Sequence, residues 1–303
     1  MLLDGIRVLD LSRLLPGGYC TRLLLNQGAE VTKVEAPAGD PMRRMPAGEI
    51  LFQALHAGKQ LVTLDLAHPH GRDALYEHLR RADVLVEGFR PGVMDRLRLG
   101  YRALSEVNPR LVYCAITGYG SGGKLASRAG HDLNYLARSG ALSLMPKAEG
   151  LPVIPGLQVA DLAGGLQAAF LILAALWERS RTGRGARVEV SMTALMVDWT
   201  ALPRAARRAG LPGLGLSGEL PCYQVYAVAD GWITVAALEP KFWTALCEVV
   251  GRKDLVTRQF DPAAIEEVQA LFKAATRSEW MRRFAHRDVC VEPVLALEES
   301  ETD

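Results

Sequence analysis

The sequence predicts an α/β protein: a mostly parallel, Rossmann-like sheet in a large first domain, followed by a smaller α+β domain. Two observations lead to this prediction. Through the first hundred residues, β-rich segments alternate with segments of helical periodicity, and short loops join them. A stretch rich in Gly, Pro and Arg then interrupts the alternation. We therefore expect a large domain over residues 1–202, a linker over residues 203–220 and a small domain over residues 221–303.

The elements of the large domain follow the rhythm of βαβ units. The predicted elements, in chain order, are a strand over 7–11, a helix over 19–27, strands over 30–35 and 61–66, a helix over 72–81, and strands over 84–87 and 111–116. Parallel strands joined in this way are covered by helices on both faces, and ligands bind at their carboxyl ends. A functional site is therefore expected at that edge of the sheet.

A nicotinamide dinucleotide is not the predicted ligand. The first strand–helix–strand unit ends in an acid, Glu35, but its turn (LPGG, residues 15–18) lacks the G-x-G-x-x-G spacing. The sequence does place basic side chains next to predicted strands, namely Arg43, Lys59 and Arg90. Arginine and lysine beside glycines are suited to binding phosphate.

Composition excludes several classes of function. The 303 residues carry 35 Lys plus Arg against 34 Asp plus Glu, so no strong field favours nucleic acid or an anionic membrane. The five cysteines include no C-x-x-C pair, which argues against a disulfide framework or a zinc site and favours a reducing cytoplasm. The most apolar segment, residues 166–177, is expected to be too short to span a bilayer. We expect a soluble, cytoplasmic protein.

Two ionisable side chains stand at predicted helix starts in the stretch 128–165. His131 precedes a helical series that begins at Leu133, and Asp161 precedes a longer one that begins at Leu162. A helix start offers unpaired N–H groups, so an aspartate there is often only a cap, and a lone histidine is often structural. A third candidate, Glu239, lies between a predicted strand and the proline of a helix start.

Several motifs in order along the chain resemble those of the family III CoA-transferases (CaiB/BaiF). They are LDLS (9–12), GAEVTKVE (28–35), FRPGVM (89–94), NPRLVY (108–113) and RTGRG (181–185). Within that family, the segments AGHDLNYL (129–136), ADLAGG (160–165), YAVADG (226–231) and ALEPKF (237–242) are similar to those of the α-methylacyl-CoA racemases.

The resemblance implies a function for each candidate residue. His131 and Asp161 would transfer protons at the α-carbon of an acyl-CoA, and Glu239 would partner and orient His131. The CoA portion would be held by Lys59, Arg90, Asp132 and Tyr135, and Arg43 is a further candidate for its phosphates. No metal, flavin or nicotinamide would be required, because CoA enters as part of the substrate.

Two alternatives remain open at this point. In the transferases of the family, the aspartate aligned with Asp161 is a nucleophile that carries the acyl group and then CoA. The chain could also be a catalytically silent acyl-CoA-binding homologue, although it retains His131, Asp161 and Glu239.

The resemblance also implies an assembly. In the family, two subunits interlock, and the active site lies between the large domain of one and the small domain of the other. We therefore expect a homodimer. Family members continue beyond the segment that matches residues 288–295 and return to the first domain, and we expect this chain to lack that return segment.

Overall fold

The computed structural model describes residues 1–211 and 213–300. The chain divides into two compact units, residues 1–201 and 202–303. The predicted linker contains the end of a helix, Ala201–Arg208, because its alanines, leucine and arginines are good helix formers. Pro212 of that linker and the last three residues of the predicted small domain lie outside the described residues.

The first unit is built on a sheet of six parallel strands. They are β1 (Arg7–Asp10), β2 (Glu30–Glu35), β3 (Gln60–Thr63), β4 (Val84–Glu87), β5 (Val112–Thr117) and, after a short hairpin of β6 (Lys147–Ala148) and β7 (Leu151–Pro152), β8 (Arg187–Ser191). Their order across the sheet is β3-β2-β1-β4-β5-β8, and every neighbouring pair is parallel. The predicted Rossmann-like sheet is confirmed.

Helices cover both faces of this sheet. They are α1 (Leu14–Asn26), α2 (Gly48–His56), α3 (Pro69–Leu79), α4 (Val93–Arg96), α5 (Tyr101–Val107), α6 (Asp132–Ser139), α7 (Val159–Thr182) and α8 (Met192–Trp199). Helix α9 (Ala201–Arg208) follows in the chain and lies almost wholly in the second unit. Successive strand residues point to opposite faces. Val8 therefore packs in the core with α1 and α7, whereas Leu9 packs in the core with Leu75 of α3 and Leu104 of α5.

Helix α1 begins five residues before the predicted start at residue 19. The segment interpreted as a turn forms its first turns, because Pro16 lacks only an N–H that would have no partner inside the helix there. Gly17 permits close packing, since a Cβ at this position would lie 2.1 Å from the Cβ of Ser12. The start of α1 is therefore held tightly beside the carboxyl end of β1.

Helix α7 extends beyond the apolar segment 166–177 at both ends. It has 24 residues, with a mean hydropathy of 1.9 in its most apolar window, so the expectation that this segment is too short to cross a membrane was wrong. Core helices of soluble proteins pass the same test, and 44% of that window is buried inside the fold. The face away from the core exposes a row of large apolar side chains: Leu166, Phe170, Leu173 and Trp177.

The second unit has the predicted α+β composition. Its strands β9 (Tyr223–Val228), β10 (Gly231–Ala236) and β11 (Val291–Pro293) form an antiparallel sheet in the order β11-β10-β9, accompanied by α10 (Pro240–Val249), α11 (Ile265–Phe272) and α12 (Arg277–Phe284). Its core is aromatic: Phe272 lies 5.2 Å from Tyr226 and 5.0 Å from Trp280, measured between ring centroids. Such pairs add to the burial of apolar area.

Candidate active site

A cavity of about 270 Å³ lies at the carboxyl ends of β1, β4 and β5. This is the edge at which a parallel sheet is expected to bind ligands. The starts of α1, α6 and α7 complete its walls. The lining residues are Arg13, Leu14, Pro16, Gly17, Gly88, Phe89, Arg90, Pro91, Ile116, Thr117, Gly118, Tyr119, Ala126, Arg128, Ala129, Gly130, His131, Tyr135, Asp161 and Met192.

His131 lies at the boundary where α6 begins. It is the residue before the first turn, with extended backbone angles of φ −129° and ψ 175°. Its N–H donates to Asn134 Oδ1 at 3.0 Å, and the N–H of Asn134 donates to the carbonyl oxygen of His131 at 2.8 Å. This reciprocal pair fixes the backbone of His131, while its side chain remains exposed on the cavity wall.

Asp161 is in the first turn of α7, and two glycines determine how close that turn comes to its neighbours. A Cβ on Gly165 would lie 2.5 Å from the carbonyl oxygen of Pro16 in α1. A Cβ on Gly164 would lie 2.7 Å from Cγ of Met192 in α8. The small pair therefore lets α7 enter between α1 and α8, which brings the carboxyl of Asp161 to the same cavity as His131.

Asp132, which the sequence analysis assigned to CoA, has a different position. Its Oδ1 accepts the N–H groups of Ala160 and Asp161, at 2.6 and 3.0 Å. These are amides of the α7 start that have no partner within the helix. Asp132 is absent from the lining of the described cavity, and its carboxylate links the starts of α6 and α7.

The Asp161 carboxyl is electrostatically unusual. Burial raises its pKa, and the neighbouring Asp132 carboxylate raises it further, to about 7. Both causes disfavour the ionised form, because one removes water and the other adds a like charge. Near neutral pH, Asp161 is therefore present in both protonation states, as an acid–base group needs to be.

Tyr135 lines the cavity, and its assignment to the CoA portion stays a prediction. Its hydroxyl donates to the carbonyl oxygen of Gly130, and its ring meets that of Tyr119 edge-on with centroids 5.3 Å apart. Burial raises the pKa of Tyr135 to about 12, with Asp161 contributing, so the phenol stays neutral. The hydroxyl is hydrogen-bonded to the backbone next to His131, and Tyr135 forms part of the cavity wall.

Arg90 also lines the cavity, on the loop that follows β4. Two further arginines share the wall and were missed as candidates from sequence. Arg13 follows β1, with its guanidinium carbon 4.8 Å from the centroid of the Phe89 ring, and Arg128 precedes α6. A signal for Arg13 was available, because it follows the carboxyl end of a predicted parallel strand. Three guanidinium groups make this cavity suitable for an anionic ligand.

Lys59 and Arg43 are not brought to this cavity. The side chain of Lys59 is 0% exposed, and its ammonium lies 2.9 Å from the Gly18 carbonyl oxygen and 3.2 Å from Asp10 Oδ2. Arg43 donates two hydrogen bonds to the Glu35 carboxylate, at 3.1 and 2.9 Å. Their positions give no support to a role in holding CoA, because both cations are committed to partners within the protein.

Glu239 belongs to the second unit. It precedes α10, with Pro240 as the first residue of the helix, and its side chain is exposed. Its partnership with His131 stays a prediction.

Comparisons with known proteins agree with this fold. The model of the CoA-transferase family III matches residues 3–303, and the chain belongs to that family. It is 37% identical to the α-methylacyl-CoA racemase of Homo sapiens over 99% of this chain and 79% of that protein. It is 34% identical to the acetyl-CoA:oxalate CoA-transferase of Acetobacter aceti over 87% of this chain and 69% of that protein. A solved CaiB/BaiF family protein from Brucella suis superposes with a TM-score of 0.86 at 28% identity, covering 99% of this chain and 85% of that one.

Proposed function

We propose that this enzyme is a racemase that inverts the α-carbon of 2-methylacyl-CoA thioesters. One observation carries the proposal: His131 and Asp161 line the same cavity from the starts of two different helices. Inversion needs a base on one side of the α-carbon and an acid on the other. Two ionisable side chains that reach one cavity from different helices supply such a pair.

The chemistry proceeds by 1,1-proton transfer through an enolate. One of the pair removes the α-proton, the electron pair of the broken C–H bond delocalises onto the thioester oxygen, and the other residue returns a proton to the opposite face. The pKa of about 7 for Asp161 supports its use in both directions, because neither protonation state is rare at neutral pH. His131 serves as the partner, because its side chain lines the same cavity.

Positive charges on the cavity wall are suited to the negative charges of this substrate. The amides of Ala160 and Asp161 already donate to Asp132, so they are not free to stabilise the enolate oxygen. The guanidinium groups of Arg13, Arg90 and Arg128 are the cations that line this cavity in the described chain. They are suited to the CoA phosphates and to the oxygen that gains charge. No metal, flavin or nicotinamide enters the proposed reaction.

We also propose a homodimer in which Glu239 of one chain orients His131 of the other. The apolar row on α7 supports the proposal that a second chain covers this surface, since Phe170 and Trp177 are 62% and 69% exposed in the single chain. Large contiguous apolar patches usually mark interaction sites. An obligate interface of this kind buries more than roughly 2,000 Å².

The second candidate function is CoA transfer with Asp161 as nucleophile. The transferase relatives favour it, because they share the family with the racemases. In this reaction a carboxylate oxygen of Asp161 bonds to the acyl carbon, the C–S bond breaks, and CoA leaves as a thiolate. The thiolate then attacks the Asp161 carbonyl carbon of the mixed anhydride, which releases the acyl group as a carboxylate and leaves CoA as a thioester on Asp161. The acceptor carboxylate takes CoA from that thioester by the same two steps in reverse, which restores the Asp161 carboxylate. The transferase reaction has no evident need for His131, whereas racemisation requires it.

One experiment separates these functions. A purified sample is incubated with the 2R epimer of a 2-methylacyl-CoA, with and without a carboxylate acceptor, and both products and the mass of the Asp161 peptide are measured. Racemisation predicts interconversion of the epimers without acceptor and an unmodified peptide. Strict dependence on the acceptor, with an acyl or CoA adduct on Asp161, would establish the transferase. Binding without either reaction would identify a silent homologue.

A further inference from the structure

A cluster of buried charges lies behind one wall of the cavity. Its members are Asp10, Lys33, Asp40 and Lys59, and the side chains in its ion pairs are at most 1% exposed. Lys33 Nζ lies 3.1 Å from Asp40 Oδ2, and Lys59 Nζ lies 3.2 Å from Asp10 Oδ2. Two positive and two negative charges cancel. We call this set the buried quartet.

The quartet holds both ends of one short piece of backbone. Lys33 Nζ donates to the carbonyl oxygen of Ser12, and Lys59 Nζ donates to the carbonyl oxygen of Gly18 at 2.9 Å. Asp10 accepts the N–H of Ser12 at 3.0 Å. Residues 12–18, which we call the 12–18 segment, connect β1 to the first turns of α1.

The 12–18 segment is the wall of the cavity on the β1 side. It contributes Arg13, Leu14, Pro16 and Gly17 to the lining. Leu14 has a φ of +60°, in the left-handed region that side-chain-bearing residues rarely adopt. The N–H of Leu14 donates to Asp40 Oδ1 at 3.3 Å. Such a conformation persists only where surrounding contacts enforce it, and it is common at functional sites.

The electrostatics favour the ionised form of Asp10 within this cluster. Burial alone would raise the pKa of Asp10, but Lys33 and Lys59, together with hydrogen bonds, lower it to about 2. Burial and the charge of Lys59 lower the pKa of His56 to about 3, so this imidazole beside the cluster stays neutral. Buried ion pairs add little net stability compared with apolar residues of similar size, but they can impose a unique geometry.

From these contacts we infer that Lys33 and Lys59 are positioning residues of the active site. They touch neither substrate nor reacting atoms. By fixing the Ser12 and Gly18 carbonyls, they hold Arg13 and the left-handed Leu14 in the cavity wall. The inference rests on the proposed acyl-CoA reaction for its catalytic consequence, whereas its consequence for the backbone is independent of any reaction.

The test removes the ion pairs of Lys33 with Asp40 and Asp10 and keeps the quartet neutral. Lys33→Met combined with Asp40→Asn deletes the donor to Ser12, while the new amide can still accept the N–H of Leu14. The control removes an ion pair of similar length elsewhere, Arg179→Met with Asp83→Asn, where the two groups lie 2.9 Å apart. Hydrogen exchange of the peptide covering residues 12–18 and kcat/KM for α-proton exchange of a 2-methylacyl-CoA are measured for both.

The quartet variant is expected to exchange the 12–18 amides at least about tenfold faster, because their local opening becomes easier. Its kcat/KM should fall by about 10- to 100-fold, since displacements of about 1 Å in an active site cost that much. The control should leave both quantities within about twofold of wild type. The inference would be overturned if the quartet variant had the same hydrogen exchange and kcat/KM as wild type. It would also be overturned if the control variant lost as much kcat/KM as the quartet variant.

A second variant keeps the test decisive if the quartet variant does not fold. Lys59→Met combined with Asp10→Asn deletes the donor to the Gly18 carbonyl oxygen at the other end of the segment, while the new amide can still accept the N–H of Ser12. It should lose kcat/KM by about tenfold or more. Where both variants fold, combining them should cost less than the sum of the separate losses, because they act on the same wall. Strict additivity, or an unaffected Lys59→Met/Asp10→Asn enzyme, would contradict the inference. If wild type shows no acyl-CoA reaction, the proposed function fails. Hydrogen exchange of the 12–18 segment then tests by itself whether the lysines hold this backbone.

Discussion

Replacing the Asp161 carboxyl by an amide should stabilise the folded protein. The carboxyl has a pKa of about 7 in the fold against an ordinary value of 3.8, so its ionised form is disfavoured by burial and by Asp132. One pKa unit corresponds to about 1.36 kcal/mol, so full ionisation costs the folded state up to about 4 kcal/mol. This is an upper limit, because the side chain keeps part of its hydration. Asp161→Asn removes that cost.

The sign of the effect determines its pH dependence. Below 3.8 the carboxyl is protonated in both the folded and the unfolded chain, and there is no penalty. The penalty grows as the pH rises from 3.8 towards 7 and is complete above 7. The stabilisation by Asp161→Asn should therefore be larger at pH 8 than at pH 5.5, by about 2 kcal/mol.

Urea-induced unfolding at the two pH values measures this difference. Asp198→Asn is the matched control, because Asp198 is exposed on α8 and the same substitution there should change stability by less than about 0.5 kcal/mol. Activity should be lost in Asp161→Asn while stability rises, as expected for a functional group whose ionised form destabilises the fold. A variant that is less stable than wild type at pH 8, or equally affected at both pH values, would refute the reasoning.

Three further predictions concern the site. Asp132→Asn keeps an acceptor for the α7 amides but removes a negative charge, so the pKa of Asp161 should fall. The acid limb of the pH profile of kcat/KM should therefore move to lower pH, and an unmoved limb would show that Asp161 does not determine it. Arg90→Ala should raise KM for acyl-CoA by about tenfold with kcat changed less than about threefold, as expected for loss of uniform binding, and a selective fall in kcat would contradict this. A mixed dimer of His131→Ala and Glu239→Ala chains should recover about half of wild-type activity if each site is shared between chains, and no recovery would place Glu239 within its own chain or outside the chemistry.

The sheet could be predicted because its signals are local. Val84 to Glu87 is a short apolar run between polar turns, and its observed bounds equal the predicted ones. The start of α1 could not be predicted in the same way. Pro16 and Gly17 are typical turn residues, and only the close contact of Gly17 with Ser12 shows that they belong in a packed helix start.

The positions of His131 and Asp161 at helix starts were also local information, because each precedes an apolar series of helical period. The environments of Lys59 and Asp132 were not. Lys59 pairs with Asp10 across 49 residues of chain, and Asp132 caps a helix that begins 27 residues later. Contacts of this range depend on the packing of whole elements, so the sequence could supply only the residue types.

The claim that two residues share the proton transfer is tested most directly by α-proton exchange in heavy water. Each epimer of a 2-methylacyl-CoA is incubated separately with wild type, His131→Ala and Asp161→Ala, and both deuterium at the α-carbon and epimer composition are measured. Wild type should incorporate deuterium and interconvert the epimers without any added acceptor. Neither variant should interconvert them, because each turnover needs both an acid and a base. Full interconversion by either variant, or incorporation by wild type that requires a carboxylate acceptor, would contradict the two-base account.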